Sequence, residues 1–451
     1  MKRSCYINLF LMAVIIATVS GCILRSRSPI DFAGGRQIVL ADYQGSDPTG
    51  APPEVADAGL AARGEYLARA ADCIGCHTTP LGKPFAGGKA FTLPVGTLYS
   101  TNITPDKETG IGEWSDNEFV KAMHEGIGRN GSRLYPAFPY NAYTLLTRND
   151  VLAIKAYLFS LKPIHALPPE NDMSFPFNQR YLMRFWDVLY NPAQRFQANI
   201  DRTPTWNRGA YLTEALGHCG ECHTPRTLLQ GLDAGKKFGG AIIEGWKAYN
   251  MTSDQQSGIG AWTDDELAEY LSIGHTDGRS TAAGPMGLVL NNSLHFLSQD
   301  DIRAMVEYLK TVPPLHDQAD RAVSQKQTSP TPSEARLRSQ QGPMGTDDLG
   351  LRVFEGACAS CHDWDGSGVH SPYADLTGNR TVNDPSGINL MQVILHGASL
   401  KTRQGDMFMP AFGAGYSDAE IAAVVNYVTG RFGARASAMT PDQVAKGRKK
   451  K

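Results

Sequence analysis

One five-residue pattern occurs three times, as Cys73-Ile74-Gly75-Cys76-His77, Cys219-Gly220-Glu221-Cys222-His223 and Cys358-Ala359-Ser360-Cys361-His362. In each run two thiols stand three apart, one helical turn from each other, and a histidine follows the second. Thiols so placed can bond the two vinyl groups of one porphyrin, and the adjacent imidazole then reaches the iron as proximal ligand. The pattern is the attachment signal for c-type haem. Cys73, Cys76, Cys219, Cys222, Cys358 and Cys361 are therefore expected to hold three covalent haem c groups, with His77, His223 and His362 on the irons. A Cys-x-x-Cys pair can also be half of a zinc site or a thiol redox pair. Zinc needs four ligands per site, and no second pair or spaced His pair lies near any of the three. A redox pair does not require the following histidine. Three such centres in one chain point to electron transfer.

Opposite the histidine, cytochromes c commonly use methionine, whose soft thioether favours ferrous iron. Met286, in Gly284-Pro285-Met286-Gly287, and Met409, in Met407-Phe408-Met409-Pro410, stand in matching places before the last helix of their repeats. They are the expected sixth ligands, with Met407 a competitor in the third repeat. The first repeat has no methionine in its loop, Leu134-Tyr135-Pro136-Ala137-Phe138-Pro139-Tyr140, and Met123 and His124 lie on a helix instead. Its haem is expected to have an unusual sixth ligand or none.

The elements that must position these groups repeat as well. Arg63-Gly64-Glu65-Tyr66-Leu67 and Arg208-Gly209-Ala210-Tyr211-Leu212 precede the first two motifs, and a weaker Leu349–Phe354 the third. Each reads as a short amphipathic helix. Gly110–Glu118 matches Gly258–Glu266, and Ser115 with Glu118, and Thr263 with Glu266, are capping boxes. The Trp114 and Trp262 before them are either staples or packing for a haem edge. Thr147 with Asp150, Ser298 with Asp301 and Ser417 with Glu420 start a closing helix in each repeat, with Tyr157, Tyr308 and Tyr427 as core residues. The closing helix should cross the first, with the haem in the angle. The fold class is thus all-α, as three tandem cytochrome c domains over 58–165, 201–315 and 346–435. An aromatic, Pro-rich linker (166–200) should pack over the first two domains or against a partner. A Ser/Gln/Pro-rich tether (316–345) and a disordered basic tail (436–451) complete the layout.

The chain has 451 residues, a composition usual for globular proteins and a net charge of −2, which suggests no nucleic-acid partner. Eight cysteines leave only Cys5 and Cys22 outside the motifs. Both lie in an export region. Lys2 and Arg3 precede an apolar run from Leu9 to Val19, too short to span a bilayer. Val19-Ser20-Gly21-Cys22 resembles a lipoprotein signal-peptidase site. Residues 1–21 are read as a signal peptide and Cys22 as the lipidated residue, which would hold the chain on the periplasmic side of a bacterial membrane. No catalytic pair stands out, since the isolated carboxylates, serines and histidines fall in caps, loops or the motifs.

Across residues 58–433 the chain resembles the triheme cytochrome c subunit of bacterial membrane-bound dehydrogenases acting on alcohols, gluconate, sorbitol or aldehydes. The likeness rests on the three motifs and their spacing. It rests also on Ser100–Asp106, Gly110–Ser115, Tyr135–Tyr140 and Met409-Pro410-Ala411-Phe412. It implies a periplasmic catalytic subunit of flavin, quinoprotein or molybdenum type as electron donor, and membrane ubiquinone or a terminal oxidase as acceptor. Many members have methionine where this chain has Phe138. The Phe form resembles cytochrome chains of molybdenum hydroxylases. Two alternatives stand beside the electron-transfer reading: a peroxidase-type enzyme reacting at an open first haem, and a free-standing lipoprotein relay to an oxidase.

Overall fold

The computed structural model describes residues 28–317 and 349–449, apart from 369, 403 and 404. The signal peptide, Cys22 and most of the 316–345 segment lie outside them. Three helix pairs frame the chain. Leu60–Ala70 packs on Arg148–Ser160, Pro204–Tyr211 on Gln299–Leu309, and Leu349–Ala357 on Asp418–Phe432. Each pair joins the helix before a Cys-x-x-Cys-His motif to the closing helix, as the repeat pattern requires. One glycine makes each crossing close. A Cβ on Gly64 would stand 1.8 Å from Ala153 O, on Gly209 1.8 Å from Ala304 O, and on Gly350 2.4 Å from Ala423 O.

The caps explain where the other helices begin. Asp116–Glu125, Asp264–Ile273 and Asp418–Phe432 start at complete capping boxes built on Ser115, Thr263 and Ser417. Thr147 and Ser298 also cap their helices. Their partners Asp150 and Asp301 do not return the bond. Both carboxylates turn inward to the other repeat, Asp301 accepting from Tyr66 Oη at 2.6 Å and Asp150 from Tyr211 Oη. The two tyrosines hold equivalent places in the two opening helices, so repeats one and two exchange one hydroxyl each. Arg208 adds two bonds to Asp301, at 2.7 and 2.8 Å. One apolar core runs through both repeats, and a second gathers residues 353–444 of the third.

The expectation of a purely helical chain needs amending. The chain is mostly helical but carries short antiparallel pairs: Ala90–Leu93 with Gly96–Tyr99, Ala241–Ile243 with Trp246–Ala248, and Ala398–Thr402 with Gly405–Met409. The runs are too short for a strand period to declare itself, and Gly96, Gly245 and Gly405 take the positive φ of their turns. Residues 28–57, which the repeat pattern does not cover, strap onto repeat two. Gln37–Val39 pairs with Gln197–Asn199, and Arg208 donates to the carbonyls of Pro48 and Gly50.

Of the segments outside the repeats, 166–200 packs over the first two as expected, and the tail differs. In 166–200, Trp186 and Tyr190 close the joint between the first two repeats through Leu229 O and Thr227 Oγ1, and Asp187 pairs with Arg133 and Tyr140. Phe175, Phe185 and Val188 remain exposed on its outer side. The basic tail is a helix rather than a disordered end. Pro441–Arg448 starts at a Thr440–Gln443 capping box, buries Val444, and ties Arg448 to Asp418 and the carbonyl of Tyr416. The lysine-rich composition masks that Val444 and Arg448 share one face. Among the described residues no helix is long and apolar enough to cross a membrane.

Candidate haem-attachment sites

All three motifs form one short helical stretch, Cys73–His77, Cys219–His223 and Cys358–His362, the last two with the first cysteine as cap. Asp72 and His218, just before the first two, sit in left-handed backbone at φ +46° and +37°. That kink ends the opening helix and turns the thiols out of its axis.

The histidines are held alike. His77 Nδ1 lies 2.7 Å from Thr101 O, His223 Nδ1 2.7 Å from Tyr249 O, and His362 Nδ1 2.7 Å from Ala374 O. A carbonyl only accepts, so Nδ1 carries the proton in each ring and the lone pair is on Nε2. A ligating imidazole needs this tautomer and this orienting bond. Burial lowers all three imidazole pKa values, with the carbonyl bond opposing, which keeps the rings neutral. The carbonyl loops are themselves braced. Asn102 bonds Thr109 and Ile164 O, and Asn250 repeats this with Ser257 and Leu315 O.

Burial pushes the Cys73 and Cys219 thiols up to about 12 and Cys76, Cys222 and Cys358 to about 11. Such thiols are not the ready thiolates of a redox pair. Among the described residues no group of three or more His, Cys, Asp or Glu side chains is arranged to hold a metal ion. The donor set fits haem instead: two thiols and one Nε2 lone pair per motif. In the third repeat one thiol and one methionine face the same small space. Cys358 and Met409 line one apolar cavity with Ile394, Phe412, Tyr416 and Val424. Met407, two residues along the same hairpin strand and opposite Leu400, is not part of that lining. When bound, haem iron cycles between ferric and ferrous states and so carries one electron.

Met286 is in the first turn of Gly284–Asn292, partly buried against the shared core. That helix also contacts the Cys73–His77 helix and the strand Ala398–Thr402, so it touches elements of all three repeats. Phe138 packs on Tyr143 with centroids 5.4 Å apart, and Tyr143 donates to Ala71 O, two residues before Cys73. Met123 is buried in the core, and His124 is buried with no partner at Nε2. Repeat one meets the second motif across the joint: the rings of Tyr143 and His218 lie 5.6 Å apart, and Asn141 Nδ2 donates to Glu221 at 2.8 Å. Sequence reasoning missed the carbonyls of Thr101, Tyr249 and Ala374, because a backbone acceptor leaves no residue signature. The shared Asn-x-Thr runs at 102–104 and 250–252 were the available clue.

Comparison with known proteins agrees with this geometry. A family model described as Cytochrome c matches residues 61–162 and 348–431. The chain is 37% identical over 413 residues to the fructose dehydrogenase cytochrome subunit of Gluconobacter japonicus, covering 88% of this chain and 85% of that one. It is 36% identical to the gluconate 2-dehydrogenase cytochrome c subunit of Pantoea cypripedii, over 91% of this chain and 92% of the other. The chain belongs to the cytochrome c subunits of bacterial membrane-bound dehydrogenases. One of the subunits of a nicotinate dehydrogenase from Pseudomonas putida is 39% identical, but the match spans only 31% of that longer chain. Membership implies covalently bound haem c and a role beside a dehydrogenase catalytic subunit.

Proposed function

We propose that this cytochrome subunit carries three haem c groups, at Cys73/Cys76, Cys219/Cys222 and Cys358/Cys361. It would take electrons from a periplasmic dehydrogenase catalytic subunit and pass them to membrane ubiquinone or a terminal oxidase. His77, His223 and His362 would hold the three irons, and Met286 and Met409 would serve as further ligands of the second and third. A lipid on Cys22 fixes the complex to the periplasmic face of the membrane. The observation that carries this reading is the threefold repetition of one arrangement, a Cys-x-x-Cys-His helix whose histidine gives Nδ1–H to a carbonyl at 2.7 Å.

The protein's own side chains supply orientation and insulation. The carbonyl bonds fix the imidazole planes before any electron arrives, which keeps reorganisation small. The contact of Tyr143, itself bonded to Ala71 O, with His218 offers a path from the first centre to the second. Phe138 and Tyr143, packed over the turn before Cys73, favour a sealed first centre over a peroxidase pocket. The relatives act on fructose, gluconate, alcohol and nicotinate by name, so the partner's substrate and its flavin, quinone or molybdenum cofactor are decided by co-purification.

The test uses purified full-length protein. Three haems per chain, one on each motif peptide, and turnover of an alcohol, aldehyde or sugar only after the catalytic subunit is added, support the reading. Turnover by the chain alone sinks it.

A further inference from the structure

Repeat three reaches into repeat two at one point close to the second haem-attachment site. Arg380 opens a short helix of the third repeat, yet only 4% of it is exposed. Its guanidinium lies over the Tyr249 ring, 4.4 Å from the centroid, and donates from Nη2 to Ser257 O at 2.7 Å. Its own backbone N–H bonds Arg279 O. Tyr249 is the residue whose carbonyl orients His223. A cation from one repeat is thus buried one residue away from the proximal ligand of another.

We propose that Arg380 is a potential-setting residue for the haem at Cys219/Cys222, so that docking of repeat three raises the midpoint of the second centre. The inference rests on the three-haem reading above. Ferric haem carries one more positive charge than ferrous haem, so a nearby buried cation destabilises the oxidised form. Burial removes most of the screening that would blunt this in water.

The neighbouring charges sharpen the expectation. Lys247 Nζ stands 5.5 Å from the same Tyr249 ring, and it pairs with Asp384 at 3.4 Å. Asp384 is fully buried and belongs, like Arg380, to the third repeat. Arg380 is a cation and Asp384 an anion of one buried group beside Tyr249. Removing the arginine and removing the aspartate should therefore move the potential in opposite directions. A residue that merely glued the repeats together would not behave so, because loosening the joint from either side has one sign.

The experiment is a redox titration of full-length holoprotein, resolving its midpoints, on Arg380→Gln, Arg380→Lys and Asp384→Asn. In Arg380→Gln one midpoint should fall by the equivalent of a tenfold change in the ferric/ferrous ratio, about 59 mV for one electron, while the others stay. Arg380→Lys should keep most of the wild-type value. Asp384→Asn should raise the same midpoint, and it keeps the proposal falsifiable if Arg380→Gln does not accumulate. An unmoved midpoint in Arg380→Gln, equal falls in the Gln and Lys variants, or a fall in Asp384→Asn overturns the inference. Mass spectrometry of the 219–223 peptide separates the two levels. A peptide without haem overturns the three-haem reading and this inference with it, whereas a loaded peptide with an unmoved midpoint overturns this inference alone.

Discussion

Gly209→Ala tests the geometry on which each centre hangs. Alanine is the better helix former by about 1 kcal/mol, so in an open helix the change would stabilise. Here the added Cβ would meet Ala304 O at 1.8 Å and Ala304 C at 2.4 Å, and both are backbone atoms of the closing helix. Real Cβ contacts do not fall below 3.0 Å, so the two helices must part by about 1.2 Å. A radial gap of ~0.5–1 Å already forfeits a quarter to a half of the dispersion well along the contact. Overpacking of this kind costs ~1–3 kcal/mol or more. The upper end applies because no flexible side chain can yield, and after the propensity gain roughly 2 kcal/mol of destabilisation remains. In a unit of this size that lowers Tm by roughly 4–8 °C. Thermal unfolding of the holoprotein, followed by far-ultraviolet circular dichroism and by the haem absorbance, measures it. Gly64→Ala should behave the same. Gly356→Ala is the internal control: it lies in the opening helix of repeat three with nothing within 4 Å of its Cβ, and should gain about 0.4–1 kcal/mol. Gly209→Ala as stable as wild type, or Gly356→Ala as damaging as Gly209→Ala, refutes the reasoning.

Tyr66→Phe and Tyr211→Phe each remove a hydrogen bond to a buried carboxylate, worth ~1.5–3 kcal/mol. In denaturant titrations Tyr211→Phe should cost more, because Asp301 keeps two hydrogen bonds from Arg208 while Asp150 keeps one from Gly50 N–H. His124 has its pKa pushed down to about 4 by burial. As pH falls from about 6.5 toward 4 the unfolded chain binds a proton that the folded one refuses, so stability present above that window is lost within it. His124→Gln should flatten this part of the stability–pH curve. Replacing Cys358 and Cys361 together by alanine should remove one haem by mass. It should leave the unfolding transition of repeats one and two largely in place, because the buried apolar residues of repeat three, Leu400 apart, form a core of their own.

Much of this is legible in the chain. The motif helices, the three opening–closing helix pairs and the caps at Ser115, Thr263 and Ser417 follow from local spacing, and local spacing is what a sequence states directly. Thr147 and Ser298 are visible as caps in the same way, but the carboxylates that follow them serve a distant tyrosine. No periodicity records a contact over 235 positions, as between Tyr66 and Asp301. Gly64, Gly209 and Gly350 stand out as repeated letters, yet their purpose appears only when the facing carbonyl is placed. Met409 is separable from Met407 only through the cavity it shares with Cys358. The histidine-orienting carbonyls are out of reach, since any residue supplies one.

The hydroxyl exchange between Tyr66 and Tyr211 has a bearing on how the chain could be divided. A cut near residue 165 would strand Tyr66 and Asp150 without their mates and open the shared core on both halves. A cut within 318–348 would sever none of those bonds. The smallest piece able to stand alone from this end is therefore a pair of repeats, not one. Change in this chain by gain or loss of a whole unit is easiest at the third repeat, whose removal would take Arg380 with it and leave the second centre to titrate without that charge.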